Sequence, residues 1–344
     1  MTTRRGAAWA ALAAAVAMAA AWGFAPAADS SEVSIQAAKD HIDFLVGKDL
    51  VTSYRIGPDA AKPYFWPLNA PNGVPVTRAW PMEKAQPGEQ TDHVHQKSGW
   101  FCHGDVIPEG LELKVRSKDA NIKGVDFWSE TEGHGVIVCV KVGEPEQKDG
   151  RARIVTDDEW RTADGVKVLD EKRTISLVLV NGARLLVLES DLHASEYPIT
   201  FGDTKEGSMG VRVRTEITEE KGKGKLTNAD GKTGEKGDDG VWGRISAWCD
   251  DSGPLDGKTA GVAILADPGN PYPSSWHARG YGLLAANPFG RDKAGFPAMK
   301  GKTDLVKMAK GDHLKFRYGI LLHDGDVKDG KVADCYERFV KLKE

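Results

Sequence analysis

Short apolar runs, separated by clusters of Gly, Pro, Asn and Asp, dominate the hydropathy pattern of the chain after its N-terminal segment. Runs that are rich in Val, Ile, Leu and aromatic residues and bounded by turn-forming residues predict β-strands. The clearest examples are IDFLVGKDLVTSYRI, GHGVIVCVKV, RTISLVLVNGARLLVLESDL, GSMGVRVRTEI, GVAILAD and HLKFRYGILLHDGD. Within the third run, the sequence Asn181-Gly182 predicts a tight hairpin, because Asn-Gly favours the turn that joins two adjacent antiparallel strands.

Helical periodicity is nearly absent, and VADCYERFVKLKE at the C-terminus is the best candidate helix. Many strands with short connections, and no regular alternation of strands with helices, predict an all-β protein. We expect residues 29–344 to form a single large antiparallel β-sandwich with a short C-terminal helix. Residues 219–240 hold almost no apolar side chains, which predicts a mobile loop within this domain.

The N-terminal segment has the layout of a secretory signal peptide. Arg4 and Arg5 form a basic start, an Ala-rich apolar run follows from Ala7 to Phe24, and small residues permit cleavage after Ala27 or Ala28. We therefore predict a signal peptide over residues 1–28 and a secreted or periplasmic protein. No later stretch is apolar enough to predict a membrane span.

The charge pattern and the cysteines narrow the class of protein further. The formal net charge is −4, and lysines alternate with acidic residues in most charged stretches, which argues against a nucleic-acid partner. Cys102, Cys139, Cys249 and Cys335 allow two disulfides, but their wide spacing is not typical of a disulfide scaffold. We expect one disulfide or none, and the sequence indicates no particular oligomeric state.

The stretch TDHVHQKSGWFCHGD, residues 91–105, holds three of the nine histidines in the chain. Side chains alternate along a strand, so His93, His95 and His103 would share one face if this stretch were extended. Imidazoles arranged in this way are candidates to bind a divalent metal or to transfer protons as acid and base. A solvated loop whose imidazoles bond to neighbouring backbone groups is the remaining interpretation.

Two further segments combine carboxylates with aromatic or cationic side chains. In GVDFWSETEGHG, Asp126 and Trp128 have the same strand parity, and an indole beside a carboxylate suits sugar recognition. An ordinary core aromatic is the alternative for Trp128. In PITFGDTKEGSMGVRVR, Glu206 and Arg212 are candidates either to contact a ligand or to form a structural pair.

The segment NPYPSSWHARGYG places Trp276, His277, Arg279 and Tyr281 in a loop that is too polar for the core. Loops on a rigid sandwich are where function concentrates. The candidates for proton transfer are therefore His93, His95, His103, Asp126, Glu206 and His277. The candidates for substrate binding, by stacking or by hydrogen bonds to hydroxyls and oxyanions, are Trp128, Arg212, Trp276, Arg279 and Tyr281.

Four segments together resemble a family of exported bacterial proteins of unassigned function: KPYFWPLNAPNGVPVTRAWP, DHVHQKSGWFCHGDV with GVDFW, FGDTKEGSMGVRVR, and NPYPSSWHARGYGLLAANPFG. Members often carry the label methane oxygenase (PmoA-like), which implies a membrane copper enzyme. This chain has one removable apolar segment and no predicted span, so the label carries no mechanistic weight here. Val94 and Gln96 stand where the family has a proline and a third histidine, and residues 107–123 lengthen its short connection.

The order of His103-Gly104 before Gly124-Val125-Asp126-Phe127-Trp128 also resembles aldose mutarotases. That resemblance implies a mutarotase-like β-sandwich in which imidazoles and a carboxylate base open and reclose a sugar ring. The predicted function is an exported carbohydrate-active enzyme with mutarotase-, lyase- or hydrolase-type chemistry. A non-catalytic carbohydrate-binding module and a metal-stabilised structural protein of the envelope are the alternatives.

The histidine-rich stretch and the Trp276–Tyr281 loop are expected to form one pocket. Each combines imidazole and indole in a setting too polar for the core. The loop supplies the cation that the stretch lacks, and the stretch supplies further imidazoles. A sandwich can bring distant loops to one rim, so the sequence separation is no obstacle.

Export predicts cleavage of the chain close to Ala27. N-terminal sequencing of the protein recovered from its host should therefore begin near Ala28 or Asp29. Cytosolic protein that retains Met1 would contradict the prediction.

Overall fold

The computed structural model describes residues 32–342 together with Thr2, so the predicted signal peptide lies outside the described residues except for that threonine. Twenty strands and one α-helix make up the described chain. The strands are β1 Val33–Ala37, β2 His41–Val46, β3 Asp49–Arg55, β4 Tyr64–Phe65, β5 Gly99–His103, β6 Val106–Pro108, β7 Val136–Val142, β8 Glu146–Lys148, β9 Arg151–Arg161, β10 Lys167–Val180, β11 Ala183–His193, β12 Ile199–Phe201, β13 Gly207–Arg212, β14 Lys225–Asn228, β15 Trp248–Leu255, β16 Lys258–Ala266, β17 Ser275–Trp276, β18 Leu283–Asn287, β19 Val306–Met308 and β20 His313–Asp324. The helix α1 spans Val332–Lys341, and three short 3₁₀ turns span Thr215–Ile217, Asp292–Ala294 and Pro297–Met299.

The strands form two large sheets and one small one. The first sheet has the order β1-β2-β3-β4-β5-β13-β18-β17, and the second has the order β14-β15-β16-β20-β11-β10-β9-β7, with β8 also paired to β9. A three-stranded sheet, β19-β12-β6, lies beside them. The pairings are antiparallel, so the prediction of an all-β antiparallel sandwich with a short C-terminal helix is confirmed.

Local sequence explains the longest hairpin. Strands β10 and β11 pair in register from Asp170 opposite His193 to Val180 opposite Ala183. Asn181 and Gly182 connect them with φ angles of 50° and 84°, as the tight hairpin turn requires. The predicted hairpin is therefore present.

Strand β9 was not among the strongest predicted runs because its sequence, RARIVTDDEWR, contains many charged residues. Its burial nevertheless alternates strictly, with Ala152, Ile154, Thr156, Asp158 and Trp160 buried. A carboxylate on a buried face is costly unless it is paired. Its partner lies on the neighbouring strand.

Arg173 of β10 is fully buried between the two large sheets. On its own sheet, the guanidinium binds Glu171 at 2.7 Å and lies 3.6 Å from Asp158. Toward the first sheet, it donates to the Tyr54 hydroxyl at 2.7 Å and to the Phe101 carbonyl at 3.1 Å. Hydrogen bonds on both sides therefore satisfy the buried charge and connect the sheets.

Helix α1 covers part of the outer face of the second sheet. Its buried residues Val332, Cys335 and Phe339 pack against apolar side chains of β11, β16 and β20. This contact explains why those strands are apolar on both faces and why the sequence reads there as continuous apolar runs. The predicted C-terminal helix is confirmed.

Residues 219–240, predicted as a mobile loop with almost no apolar side chains, are packed against the rest of the domain at several points. Strand β14 lies within the segment and pairs with β15, Leu226 is buried in the core, and Glu235 is buried as well. Most of these anchors are backbone and polar contacts. The loop prediction was based on the lack of apolar residues, and this property gives no information about backbone and polar contacts.

The four cysteines are all free thiols, which agrees with the expectation of one disulfide or none. Cys102, Cys249 and Cys335 are buried, and Cys139 is half-buried. Within the described residues, no helix is long and apolar enough to span a membrane.

Replacing Arg173 with Met should destabilise the protein by about 3–5 kcal/mol, because Glu171 and Asp158 would remain buried without a counter-charge. Lys167→Met is the matched control, since the ammonium of Lys167 forms only partly exposed ion pairs and should contribute less than about 1 kcal/mol. Chemical denaturation of both variants measures the difference. An Arg173 variant that is as stable as the control would contradict the role assigned to this charge.

Candidate functional site

A polar pocket of about 1100 Å³ lies on the outer face of the first large sheet. Five segments that are distant in sequence line it: residues 93–96, 118–131, 203–206, 277–281 and 293–294. The expectation that the histidine-rich stretch and the loop around His277 form one pocket is therefore confirmed by the geometry.

The side chains of β5 alternate between the pocket face and the core face of the first sheet. Trp100 lies with its ring centroid 5.0 Å from that of the pocket residue Trp128. The next residue, Phe101, points the other way, toward Tyr318 of the second sheet at 6.2 Å. Residues with the parity of Phe101 therefore face the interior of the sandwich.

His103 has the parity of Phe101, so the structure places it in the interior and not in the pocket. Its ring is fully buried beside Phe201 and Phe289, and its Nε2 lies 2.9 Å from the Gly202 carbonyl oxygen. Burial lowers the pKa of this imidazole to about 4. The prediction that His103 shares a face with His93 and His95 is wrong, because the stretch before Gly99 turns and Ser98 adopts a φ of 58°.

Two buried arginines hold the segment that carries His93 and His95. Arg78 donates to the carbonyl oxygens of Gln90, Asp92 and His93 at 2.8–3.0 Å and to the Asp92 carboxylate at 2.8 Å. Arg212 of β13 donates to the side chains of Gln90 and Gln96 at 2.6 Å and of Asp92 at 2.7 Å. The loop is thus fixed by charge-assisted hydrogen bonds rather than by strand pairing.

Arg212 supports the pocket from below, which corrects its predicted role as a ligand contact. Its guanidinium lies 4.5 Å from the ring centroid of Tyr281, and its terminal nitrogens are used by the loop. Burial and the nearby charge of Arg78 lower the pKa of Arg212 to about 10. Burial alone would raise the pKa of Asp92, but the charge of Arg212 and the hydrogen bonds with His93 and Arg78 reverse the effect and leave the pKa at about 2.

After β17, the side chains continue to alternate between the two faces of the first sheet. His277 exchanges backbone hydrogen bonds with Ala285, so its side chain and those of Arg279 and Tyr281 line the pocket. Trp276 points to the opposite side, is fully buried, and donates its Nε1–H to the Ser246 carbonyl at 3.0 Å. The prediction of Trp276 as a stacking platform for a sugar is therefore wrong.

His277 presents a neutral imidazole to the pocket. Its Nδ1 lies 2.8 Å from the Lys205 carbonyl oxygen, so Nδ1 carries the proton and Nε2 is the acceptor. The ring is almost completely buried beside Trp128 and Trp242. Burial and the charge of Arg279 lower the pKa of His277 to about 3.

Glu206 lies next to this imidazole, with one carboxylate oxygen 4.0 Å from His277 Nδ1. Burial raises the pKa of Glu206 to about 7, although the charges of Lys205 and Arg279 act in the opposite direction. Its side chain still exposes 32% of its surface to the pocket. A carboxyl group of this kind can donate or accept a proton near neutral pH.

His93 and His95 line the opposite wall. Their ring centroids are 5.7 Å apart, and the ring of His93 also stacks on Tyr281 at 5.1 Å. His93 Nδ1 lies 2.7 Å from the Asp92 carboxylate, which orients the ring. Burial and the charge of Lys62 lower the pKa of His95 to about 3, so His95 is also a neutral imidazole.

Asp126 and Trp128 also line the pocket, but both have structural partners. One Asp126 oxygen accepts the backbone N–H groups of Trp128 and Ser129 at 2.9 and 3.0 Å, and the other binds the Ser129 hydroxyl. Trp128 is buried against Trp100. The turn they form shapes the wall, and Asp126 is not free to act as the base that the sequence allowed.

Within the part of the chain that the structure describes, no three His, Cys, Asp or Glu side chains are arranged to hold a metal ion. His93 and His95 are close together, but His103 lies on the other side of the sheet. A divalent metal bound by these three residues therefore has no geometric support.

Sequence reasoning missed several residues that shape the pocket, above all Arg78, Gln96 and Glu235. Arg78 and Gln96 hold the histidine-bearing loop, and Glu235 accepts the Gly280 N–H at 2.7 Å beneath Arg279. None belongs to a recognisable spacing pattern. Gln96 was visible within the histidine-rich stretch, but nothing marked it as a partner of Arg212.

The family model described as a family of unknown function (DUF6807) matches residues 41–337. The chain belongs to this family. The match agrees with the resemblance to proteins of unassigned function and does not bear on the methane oxygenase label. A search of curated proteins finds no match.

Among solved structures, the chain is similar to a galactose 1-epimerase from Lactobacillus acidophilus NCFM, with 9% identity, a TM-score of 0.40, and coverage of 84% of this chain and 96% of that chain. It is also similar to a galactose mutarotase-like protein from Clostridium acetobutylicum, with 9% identity, a TM-score of 0.38, and coverage of 85% and 95%. A GH36 alpha-galactosidase from Geobacillus stearothermophilus matches with 7% identity, a TM-score of 0.37, and coverage of 85% of this chain and 40% of that chain. Scores of this size carry no argument about mechanism, which must come from the pocket itself.

The imidazoles of His95 and His277 should remain neutral down to about pH 4 in the folded protein. In the unfolded chain they should protonate near pH 6.5, so each contributes stability that is present above pH 6.5 and is lost as the pH falls toward 3. Nitrogen-15 NMR of labelled histidine, assigned with His95→Asn and His277→Asn, measures both titrations. The same chain in concentrated urea is the control, and titration of either ring near pH 6.5 in the folded state would contradict the assigned burial.

Proposed function

We propose that the protein is an exported carbohydrate-active enzyme in which Glu206 transfers a proton to or from a sugar bound in the pocket. The pocket volume of about 1100 Å³ is slightly above the usual range of small-molecule sites, and the polar side chains of its lining can form hydrogen bonds with sugar hydroxyls. His277 Nε2 and the imidazole of His95 are hydrogen-bonding groups for sugar hydroxyls, and His93 and Tyr281 supply the aromatic wall.

The state of the four pocket carboxylates is the observation that carries this proposal. Asp119 accepts hydrogen bonds from Asn121, Asp126 accepts them from its own turn, and Asp203 accepts the backbone N–H groups of Arg291, Lys293 and Ala294. Among the described residues, Glu206 is the pocket carboxylate whose oxygens accept no hydrogen bond, although the Lys205 ammonium lies 3.9 Å from one of them. Its proton is therefore available to a ligand.

A single available carboxylate also favours one reaction class. Glycoside hydrolysis in most families uses two carboxyl groups that act together on one bond. Here a second candidate, Asp126, already accepts hydrogen bonds from Trp128 and Ser129. One carboxyl group of near-neutral pKa beside neutral imidazoles suits proton abstraction and return, as in ring opening, epimerisation or elimination.

The two alternative functions require different groups in the protein. A non-catalytic carbohydrate-binding module would use the same hydrogen-bonding groups, but it would not need a carboxyl group that has a raised pKa and accepts no hydrogen bond. A metal-stabilised structural protein would need a set of three ligands, which the described residues do not form. The Glu206 carboxyl group, which accepts no hydrogen bond from the described residues, therefore favours the enzyme.

Glu206→Gln should lower turnover of an accepted sugar by at least about 100-fold, the usual contribution of a general acid or base, while binding of the sugar changes little. Wild-type activity should rise with pH through about 7, because a base acts in its ionised form. NMR of anomer exchange, epimerisation and elimination over a panel of aldoses and uronates provides the assay.

Glu337→Gln is the matched control, because Glu337 is exposed on α1 and lies outside the pocket lining. It should leave both turnover and binding unchanged. Full activity of Glu206→Gln would refute the role of this carboxyl group. Sugar binding by the wild type without any turnover would indicate the non-catalytic binding module instead.

A further inference from the structure

The half-buried guanidinium of Arg279 differs from the two fully buried guanidiniums around the pocket in how its nitrogens are used. Arg78 and Arg212 donate their terminal nitrogens to the loop of residues 90–96. Within the described chain, neither terminal nitrogen of Arg279 donates to a protein acceptor. The side chain is 28% exposed and lines the pocket, so these donors are available to a ligand.

Other contacts fix the position of this guanidinium. Its Nε lies 3.3 Å from a carboxylate oxygen of Glu235, and its central carbon lies 5.1 Å from the Trp242 ring centroid and 5.7 Å from that of Tyr281. Two aromatic rings and one carboxylate therefore hold the side chain. The loss of side-chain entropy on ligand binding is correspondingly small.

Glu235 is itself held in place. Its side chain is 8% exposed, its second carboxylate oxygen accepts the Gly280 N–H at 2.7 Å, and its own N–H donates to Glu219 at 2.8 Å. The segment 219–240 thus serves the pocket by presenting Glu235 beneath Arg279. Glu235 is a positioning residue, since it acts through Arg279.

The charges that face the pocket favour an anion. Lys123, Lys205 and Lys293 also line it, while the carboxylates of Asp119, Asp126 and Asp203 are bonded to backbone N–H groups or nearby amides. Arg279, Glu206 and His277 line the same pocket, and the charge of Arg279 lowers the pKa of both other groups. A ligand bound at Arg279 therefore lies in the same cavity as the proposed site of proton transfer.

We infer that the sugar bound in this pocket carries an anionic group, a carboxylate, sulfate or phosphate, that accepts hydrogen bonds from the two terminal nitrogens of Arg279. A planar guanidinium held by its Nε edge is suited to bind such a group with two parallel hydrogen bonds. This inference rests on the proposed carbohydrate-binding function and specifies its substrate class.

Matched pairs of neutral and anionic sugars test the inference on the full chain. Calorimetry would compare galactose with galacturonate, galactose 6-sulfate and galactose 6-phosphate, and glucose with glucuronate. At least one anionic sugar should bind about 10–100-fold more tightly than its neutral partner, the range expected for hydrogen bonds to a charged group. The preferred anion identifies the substituent, and rising salt should reduce this preference.

Arg279→Gln should remove most of that preference while leaving the neutral sugar within about threefold of its wild-type affinity, less than one ordinary hydrogen bond contributes. Arg279→Lys keeps the charge but not the paired donors, so its preference for the anionic sugar should lie between those of the wild type and Arg279→Gln. Glu235→Gln should also weaken binding of the anionic sugar. Arg338→Gln is the matched control, because Arg338 is on α1 outside the pocket lining. Thermal unfolding of every variant separates loss of binding from loss of the fold.

Neutral sugars that bind as tightly as their anionic partners would overturn the inference while leaving the proposed function intact. Equal weakening of neutral and anionic sugars by Arg279→Gln would overturn it as well. Failure of every sugar to bind the folded wild type would overturn the proposed function together with the inference.

Discussion

A buried positive charge between the two large sheets is the constraint on which the sandwich depends. The interior cannot solvate the guanidinium of Arg173, so acceptors must surround it. Glu171 provides one on its own sheet, and the Tyr54 hydroxyl and the Phe101 carbonyl provide others on the opposite sheet. The hydrogen bond to the Phe101 carbonyl also fixes the position of β5. This strand directs His103 toward the core and Trp100 toward the pocket.

Buried guanidiniums surrounded by hydrogen-bond acceptors also organise the pocket on the outer face of the first sheet. Arg78 and Arg212 bind one irregular loop through its carbonyl oxygens and through Asp92, so a segment without strand pairing is held in one conformation. Arg279 is held by Glu235 but keeps its terminal nitrogens for the pocket. Two arginines therefore support the structure of the loop, and the third, which lines the same pocket as Glu206 and His277, provides the proposed binding group.

Much of the fold and part of the pocket could be predicted from the sequence. Strand periodicity and turn residues identified the strands that carry the core, the Asn181-Gly182 hairpin and the C-terminal helix. The prediction that the histidine-rich stretch and the His277 loop line one pocket followed from their complementary chemistry. The predicted positions of His103 and Trp276 failed because each depends on which face of a strand the residue occupies, and the irregular backbone at Ser98 changed that alternation before β5.

The sequence by itself determined the fold class, since alternation of apolar residues and turn-forming residues act locally and can be read along the chain. It also identified His95, Glu206, His277 and Arg279 as polar groups in turn-rich segments. Only the tertiary structure decided which pocket carboxylate accepts no hydrogen bond, which arginine keeps free donors, and that Glu235 from an apolar-poor segment supports Arg279. These properties depend on hydrogen bonds and burial between segments far apart in the chain, and no local pattern of residues encodes them.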